Sequence, residues 1–312
     1  MPHQGFLGRL LNRLQWRPLQ IWLKHYRSAE IDLSAIAVAY YMLLTIFPLI
    51  VLAANIFPYL DLDVEQLLKF MKNSLPSEFY GSAALVTRNI FARPSTGILG
   101  VATVTAIWTL SRSLSSLQKA FNKAYGSSSH RDVILSRIIG AVVGIGILFL
   151  LTFALMLSTF SRAIINILKE FYAIKSSTVS LVNQLTQPIT IGVIFIALLI
   201  LYFVLPNVKI KRLRYVLPGS LFTTAFLALF SNLISSYILH TLGRFIDIKT
   251  FGSVMIFIIM VWFIFLAHIL ILGSVLNATI QELSLGNLES RKGDVLTILQ
   301  SRKQEQQSSE HQ

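Results

Sequence analysis

The sequence has no cysteine and few charged residues. The absence of cysteine excludes disulfide bonds, thiolate metal sites and a cysteine nucleophile. Charged residues make up 13% of the 312 residues, whereas an ordinary soluble domain has about 25%. Hydrophobic residues make up 54%, which is more than a soluble fold of this length can hide, because roughly half of any soluble surface is already apolar. The composition therefore favours a lipid bilayer as the main solvent of the chain.

Acidic residues are also scarce. The chain has 14 Asp and Glu against 27 Lys and Arg, which gives a net charge of +13. One explanation of this excess is a basic patch that binds nucleic acid. The other is the retention of Lys and Arg in the cytoplasmic loops of a membrane protein. The distribution of the charges along the chain distinguishes the two.

Catalytic and metal-binding motifs are missing from the sequence. No glycine-rich phosphate loop follows a strand, and no HxH or HExxH pattern occurs. Asp61, Asp63 and Glu65 lack the sixth-position glycine and the distal acidic ligand of an EF-hand loop. We expect an N-cap and an acidic first turn of a helix there instead. The sequence predicts no metal, no cofactor and no enzymatic activity.

Six apolar runs reach the length of about 20 residues that a membrane-spanning helix needs. The second run is the weakest, because Arg112 and several Thr and Ser residues dilute it. The alternative is a chain of five spans with an interfacial second helix. The six predicted spans are 33–58, 96–115, 138–160, 188–206, 216–238 and 252–276.

The charges outside these runs alternate along the chain. Segments one, three, five and seven contain 18 of the 27 Lys and Arg, with Arg112 counted in segment three, and the other three segments contain nine. This bias follows the positive-inside rule when both termini are cytoplasmic. It predicts an all-α, polytopic transmembrane bundle of about six spans. It also explains much of the basic excess without nucleic acid.

The spans divide the chain into regions. A basic N-terminal segment covers 1–32, and the membrane domain covers 33–283. Within the membrane domain, 59–95 is the longest connection, and we expect it to form an extracytoplasmic cap. The polar tail 284–312 has the composition of a disordered cytoplasmic segment.

The N-terminal segment is amphipathic. Arg9, Arg13 and Arg17 recur every four residues and therefore line one face of a helix. Such a helix is typical of the cytoplasmic membrane surface, where its arginines bind anionic lipid headgroups. The alternative is a soluble collar that packs on the cytoplasmic loops.

A proline interrupts the first span. Pro48 removes a backbone hydrogen bond, which a membrane helix tolerates when neighbouring groups satisfy the freed carbonyl. Tyr41, Thr45, Pro48 and Asn55 share one stripe at helical spacing, and Asn55 would be costly toward lipid. We expect a kinked helix whose polar stripe faces the bundle interior. The stripe then either lines a cavity or hinge, or makes ordinary interhelical hydrogen bonds.

Other polar residues in the spans extend this candidate set. Ser231 and Asn232 lie in the fifth span, and His268 is the one histidine deep in a span. No Asp or Glu lies in the central part of any span, so a proton-coupled mechanism based on an intramembrane carboxylate is not indicated. Arg112 either snorkels or binds an anionic substrate or headgroup. The candidate lining is Tyr41, Thr45, Pro48, Asn55, Arg112, Ser231, Asn232 and His268.

Four segments together resemble the YihY/BrkB family of bacterial inner-membrane proteins. They are AVAYYMLLTIFPLIVL, LGVATVTAIWTLSRSLSSLQKAFNKAYG, LPNVKIKRLRYVLPGSLFTT and FGSVMIFIIMVWFIFLAHILILGSVLNA, and the likeness covers about residues 20–283. The resemblance implies about six helices in a bacterial plasma membrane. The family has been linked to serum resistance. It once carried the name ribonuclease BN, which implies tRNA processing.

The residues do not favour the ribonuclease interpretation. Hydrolysis of RNA needs a metal cluster or a positioned acid–base pair. The segment 111–137 offers basic residues and His130, but Asp132 is its one acid. We therefore expect a transporter or exporter-like membrane protein that contacts anionic lipids and an unidentified solute, and no nucleic acid. The alternative is a non-transporting scaffold or lipid-binding protein that supports envelope integrity.

Overall fold

A computed structural model describes residues 16–56, 77–92, 95–127, 176–242 and 248–288, together with single positions between 64 and 72 and between 138 and 153. Within the helices, the side chains of 176–183, 231–242 and 248–255 lie outside the description, as do those of a few positions elsewhere.

The described residues form a bundle of long helices, which confirms the all-α prediction. A 3-10 turn, Leu213–Tyr215, lies in the connection between the fifth and sixth helices. The helices are α1 Arg17–Ala29, α2 Ile31–Ile56, α3 Ser77–Ala92, α4 Thr96–Ala124, α5 Ser176–Val204, α6 Leu217–Leu242 and α7 Ile248–Leu285.

Four helical stretches are long and apolar enough to cross a membrane: Ile31–Leu52, Thr96–Ala124, Gln184–Val204 and Ile256–Leu285. They confirm that the chain is a polytopic membrane protein. A fifth apolar stretch, Leu217–Phe230, is shorter within the described residues. Most of the predicted third span, 138–160, lies outside the described residues, so the number six stays a prediction.

Two helices continue beyond their apolar runs. α4 extends to Ala124 and α7 to Leu285, nine residues past the predicted ends at 115 and 276. In α4, Leu117, Phe121 and Ala124 recur at three- and four-residue spacing and are buried. Their burial sustains a helix through a stretch whose lysines end the apolar run.

The first two helices form an almost continuous rod. α1 ends at Ala29 and α2 begins at Ile31, so that Glu30 alone separates them. Glu30 has φ 43° and ψ 56°, the left-handed conformation that commonly ends a helix. α1 packs against α4 and α7 through His25 and Ala29, which are buried. The described part of the predicted N-terminal segment is therefore a helix held on the bundle, and its contact with the membrane surface stays a prediction.

Small residues let the central helices approach one another. α2 packs along α4, and the small residues Ala35 of α2 and Ala102 and Ala106 of α4 are buried. Gly144 belongs to the third apolar run, and a Cβ on it would lie 2.6 Å from Cδ1 of Leu114. Its missing side chain therefore allows close packing on α4, which supports a packing role inside the subunit.

Candidate functional site

Buried polar side chains gather where the C-terminal half of α7 meets α5, α6 and the connection 205–216. Tyr202 of α5 is fully buried. Its hydroxyl donates to the carbonyl oxygen of Leu270 at 2.8 Å and lies 2.7 Å from Oγ1 of Thr223. Since the proton of Tyr202 goes to the carbonyl, Thr223 donates to Tyr202. One hydroxyl thus joins three helices.

Two glycines make this three-helix junction possible. A Cβ on Gly273 would collide with the hydroxyl of Tyr202 and lie 2.6 Å from Oγ1 of Thr223. A Cβ on Gly219 would collide with the carbonyl oxygen of Gly273 and lie 2.6 Å from the amide group of Asn277. The backbone N–H of Gly219 instead donates to Oδ1 of Asn277 at 2.7 Å. The junction has no room for any larger residue at 219 or 273.

Side-chain amides fix the connection 205–216 onto the bundle. Nε2 of Gln118 donates to the carbonyl oxygen of Leu205 at 2.7 Å. Oδ1 of Asn122 accepts from the backbone N–H of Asn207 at 2.7 Å. Nε2 of Gln281 donates to the carbonyl oxygen of Lys209 at 3.1 Å. A loop that carries four exposed basic residues, Lys209, Lys211, Arg212 and Arg214, is thereby held at this end of the molecule.

Several buried polar atoms of this region have no hydrogen-bond partner in the part of the chain that the structure describes. Burial raises the pKa of Tyr125, so its hydroxyl stays neutral. Buried native groups are almost always satisfied by protein or by water, so these atoms are suited to hold water or a polar solute. The atoms are Tyr125 OH, Thr224 Oγ1, Ser274 Oγ, Asn277 Nδ2 and Gln281 Oε1.

A histidine joins α1 to α4 and α7 beside this region. Nδ1 of His25 lies 2.8 Å from the carbonyl oxygen of Ala124, and because a carbonyl oxygen only accepts, Nδ1 carries the proton. Nε2 lies 2.7 Å from Oε2 of Glu282, and Nζ of Lys24 lies 2.8 Å from Oε1. Burial lowers the pKa of His25 and outweighs the carboxylate of Glu282, which raises it.

A second ion pair ties the joint between the first two helices to α4. Nζ of Lys123 lies 2.5 Å from Oε2 of Glu30, and the hydroxyl of Ser28 donates to the carbonyl oxygen of Lys123 at 2.7 Å. These groups are exposed, so the ion pair itself contributes little to stability. Their position sets the end of α4 against the junction of α1 and α2.

The predicted stripe on α2 is largely buried. Thr45 and Asn55 are 5% and 8% exposed, Pro48 is buried and Tyr41 is half-buried. The hydroxyl of Thr45 donates to the carbonyl oxygen of Tyr41 at 2.7 Å, and Nδ2 of Asn55 donates to that of Val51 at 2.8 Å. Both bonds stay inside α2. The role of the stripe as a cavity lining stays a prediction.

The described contacts of Arg112 and His268 are with residues outside this stripe. Nδ1 of His268 lies 2.8 Å from the carbonyl oxygen of Ile264, and Nε2 lies 3.1 Å from Oδ1 of Asp32. Asp32 lies in the first turn of α2, outside the central part of any predicted span, so the sequence did not indicate it as a partner of His268. Among the described side chains, no hydrogen bond or ion pair joins Arg112 or His268 to the α2 stripe. Ser231 and Asn232 belong to α6, but their side chains lie outside the description.

The residues of the junction were missed at the sequence level. Gly273 and Asn277 are four residues apart and so share a helix face, which is a weak signal of close packing around a polar group. Gly219 and Tyr202 gave no signal of their own. His25 and Glu282 are 257 residues apart, so only the fold reveals their contact. No group of three or more His, Asp or Glu residues that could hold a metal ion occurs within the described residues.

The described sites fall inside a region shared with known proteins. The family described as virulence factor BrkB matches residues 22–294. The chain belongs to the BrkB family. Ribonuclease-like protein YfkH of Bacillus subtilis (strain 168) is 26% identical to this BrkB chain over 258 residues, which cover 82% of the chain and 92% of YfkH. No solved structure matches the chain.

Proposed function

We propose that this BrkB-family chain is a multi-pass protein of the bacterial plasma membrane that moves a polar or anionic solute, as a transporter or a component of an exporter. The observation that carries the proposal is the set of buried polar atoms without partners around α6 and α7. A buried unsatisfied group costs about 1–3 kcal/mol. Polar groups kept at such cost inside membrane helices commonly mark the path of a substrate.

Charge at the adjacent surface supports the same proposal. The loop 205–216 carries Lys209, Lys211, Arg212 and Arg214. The positive-inside rule assigns this loop and both termini to the cytoplasm. A basic surface there attracts anionic solutes and the headgroups of anionic lipids. In this proposal the loop gathers anions at the cytoplasmic end of the path.

Three conservative variants test the proposal in proteoliposomes. Ser274→Ala and Thr224→Val each remove a buried hydroxyl without a partner. Thr279→Val is the matched control, since it removes a buried hydroxyl that donates to the carbonyl oxygen of Val275. We expect the first two to reduce solute flux by about fivefold or more with an unchanged unfolding temperature, and the control to retain flux.

The opposite pattern rejects a conduit at this site. Flux that survives both Ser274→Ala and Thr224→Val would show that the solute does not pass these hydroxyls. Absence of flux for a broad panel of anions, sugars and peptides with the native chain would reject transport altogether. The earlier candidate residues are tested in the same assay by Asn55→Leu and Asn232→Leu.

A second candidate function is a non-transporting scaffold that supports the envelope or binds lipid. The close approach of Gly219 to Gly273 and the two hydrogen bonds of Tyr202 favour it, because they join three helices without room for movement. A scaffold predicts that Gly273→Leu abolishes function through loss of folded protein, with no measurable flux in the native chain. The liposome assay therefore separates the two candidates.

We further propose that the chain does not cleave RNA, although its relative YfkH is named ribonuclease-like. The support is chemical, because the sequence has no metal-ligand motif and scatters its 14 acidic residues. His130 and Asp132 lie outside the described residues. Cleavage of tRNA precursors by the purified protein, abolished by His130→Ala or Asp132→Asn, would overturn this proposal.

A further inference from the structure

An arginine lies near the middle of α4. Arg112 is 16 residues from Thr96 and 12 residues from Ala124, which correspond to about 24 Å and about 18 Å along a helix. No hydrogen bond or ion pair of Arg112 occurs among the described residues, and its Nε is buried. Arg112 lies within the apolar run 96–115, three residues before its end, and an arginine in a span normally pairs with a counter-charge.

Arg112 does not reach toward the Ala124 end of its helix. Its guanidinium carbon lies 5.4 Å from the centre of the Trp108 ring. Trp108 is one turn closer to the N-terminus of α4, whereas Lys123 and Ala124 contact α1 and the α1–α2 joint at the other end. The side chain therefore follows the usual direction of helical side chains, toward the N-terminus of α4.

Two further polar groups continue the same face of α4. Ser115 and Lys119 follow Arg112 by three and seven residues, a spacing that places all three on one face. Oγ of Ser115 is buried without a partner in the described residues. Lys119 is exposed, and no ion pair of it occurs within the described ranges. We call Arg112, Ser115 and Lys119 the α4 strip.

The surroundings of the α4 strip are apolar and open. Val101 and Trp108, on the same side of the helix, are 70% and 53% exposed, and Val104 is 69% exposed. In a membrane such side chains face acyl chains. Glu30 contacts α4 at Lys123, eleven residues from Arg112, and pairs with that lysine. The strip thus has positive charge, hydroxyl and N–H donors, and no acidic partner from the described residues.

We propose that the α4 strip binds the phosphate headgroup of an anionic membrane lipid, with the acyl chains against Val101, Val104 and Trp108. A phosphate pairs with the charges of Arg112 and Lys119, and arginine suits phosphate because its planar donors match the phosphate oxygens. A lipid fits better than a free anion, since the strip lies on an apolar, exposed face. This inference rests on the proposed function, in which it makes an anionic lipid the substrate class.

Lipid binding can be measured without transport. The native chain is placed in nanodiscs of phosphatidylcholine with increasing phosphatidylglycerol, and the bound phosphatidylglycerol is counted by native mass spectrometry after release. We expect Arg112→Gln to reduce bound phosphatidylglycerol by about tenfold. Arg88→Gln is the matched control, because it removes an exposed arginine of α3 that pairs with Glu65 outside the basic N-terminal segment, and it should leave binding unchanged.

A second variant protects the test against misfolding. If Arg112→Gln lowers the unfolding temperature, the double variant Ser115→Ala, Lys119→Gln should still reduce bound lipid by about threefold. Equal binding of native chain and both variants would overturn the inference, as would equal retention of phosphatidylcholine. Competition by glycerol phosphate at the same concentration would also overturn it, since the site would then take a free phosphate.

The two proposals fail in different ways. Arg112-dependent lipid binding in a chain that gives no flux of any solute or labelled lipid leaves the α4 strip in place and rejects transport. If Ser274→Ala reduces flux while Arg112→Gln leaves lipid binding unchanged, the α4 strip is rejected as a lipid site and the transport proposal stands.

Discussion

Two histidines of the molecule make the same pair of contacts in different surroundings. In both, Nδ1 faces a backbone carbonyl oxygen and Nε2 faces a carboxylate: His25 with Glu282, and His268 with Asp32. The His25 side chain is 1% exposed and that of Glu282 14%, whereas the Asp32 side chain is 93% exposed. Each pair ties α7 to one of the first two helices. The surroundings of such a pair, and not its contact geometry, therefore decide how much the pair contributes to the stability of the fold.

The largest expected effect is the loss of the buried pair. Glu282→Ala removes the carboxylate that lies against Nε2 of His25 and accepts from Nζ of Lys24. Once His25 is protonated, below its folded pKa, breaking the buried pair by removing one partner costs about 3–5 kcal/mol, and the partial exposure of Glu282 places the expected loss at acid pH near the lower limit, about 3 kcal/mol. Chemical unfolding in detergent measures the change. Asp32→Ala is the control for the exposed pair, and a similar loss there would contradict the comparison.

The next effect is on the pH dependence of stability. The folded state holds the pKa of His25 below its ordinary value of 6.5, so the unfolded chain binds a proton more readily. Stability from this group is therefore present above about pH 6.5 and is lost as pH falls toward the folded pKa. Unfolding midpoints from pH 7.5 to 5 should fall less steeply in His25→Gln than in the native chain. Parallel profiles for the two proteins would mean that His25 is not the group that titrates.

The smallest effect concerns Lys24. Its ammonium group contacts both oxygens of Glu282, but its side chain is 63% exposed. An exposed ion pair contributes about 0–1 kcal/mol, and salt screens it. Lys24→Ala should therefore change the unfolding midpoint slightly, and the change should vanish in 0.5 M salt. A loss as large as that of Glu282→Ala would show that Lys24, and not His25, holds the carboxylate.

The positions of the long helices follow from the sequence, because each needs only a run of apolar residues. The ends of α4 and α7 do not follow from the sequence. Leu117 and Phe121 of α4 lie in a charged stretch, and only the fold shows that they are buried. The α2 stripe could be predicted because its polar residues belong to a single helix, and the hydrogen bonds of Thr45 and Asn55 also stay within that helix.

The junction lies beyond sequence reasoning for a different reason. Tyr202 and Thr223 come from different helices, and their contact depends on the space left by Gly273. A glycine gives the same signal in a sequence whether it opens such a space or not. The pair of His25 and Glu282 likewise needs the two ends of the chain to meet.

The joint at Glu30 has a mechanical consequence. Glu30, which alone separates α1 from α2, has a positive φ that is unfavourable for a residue with a side chain, so the connection between the two helices has no spare length. A force on the residues before Arg17 is therefore transmitted directly to α2, the first membrane-spanning helix. Binding of that N-terminal segment to lipid headgroups or to another protein would therefore also act on α2 inside the bundle.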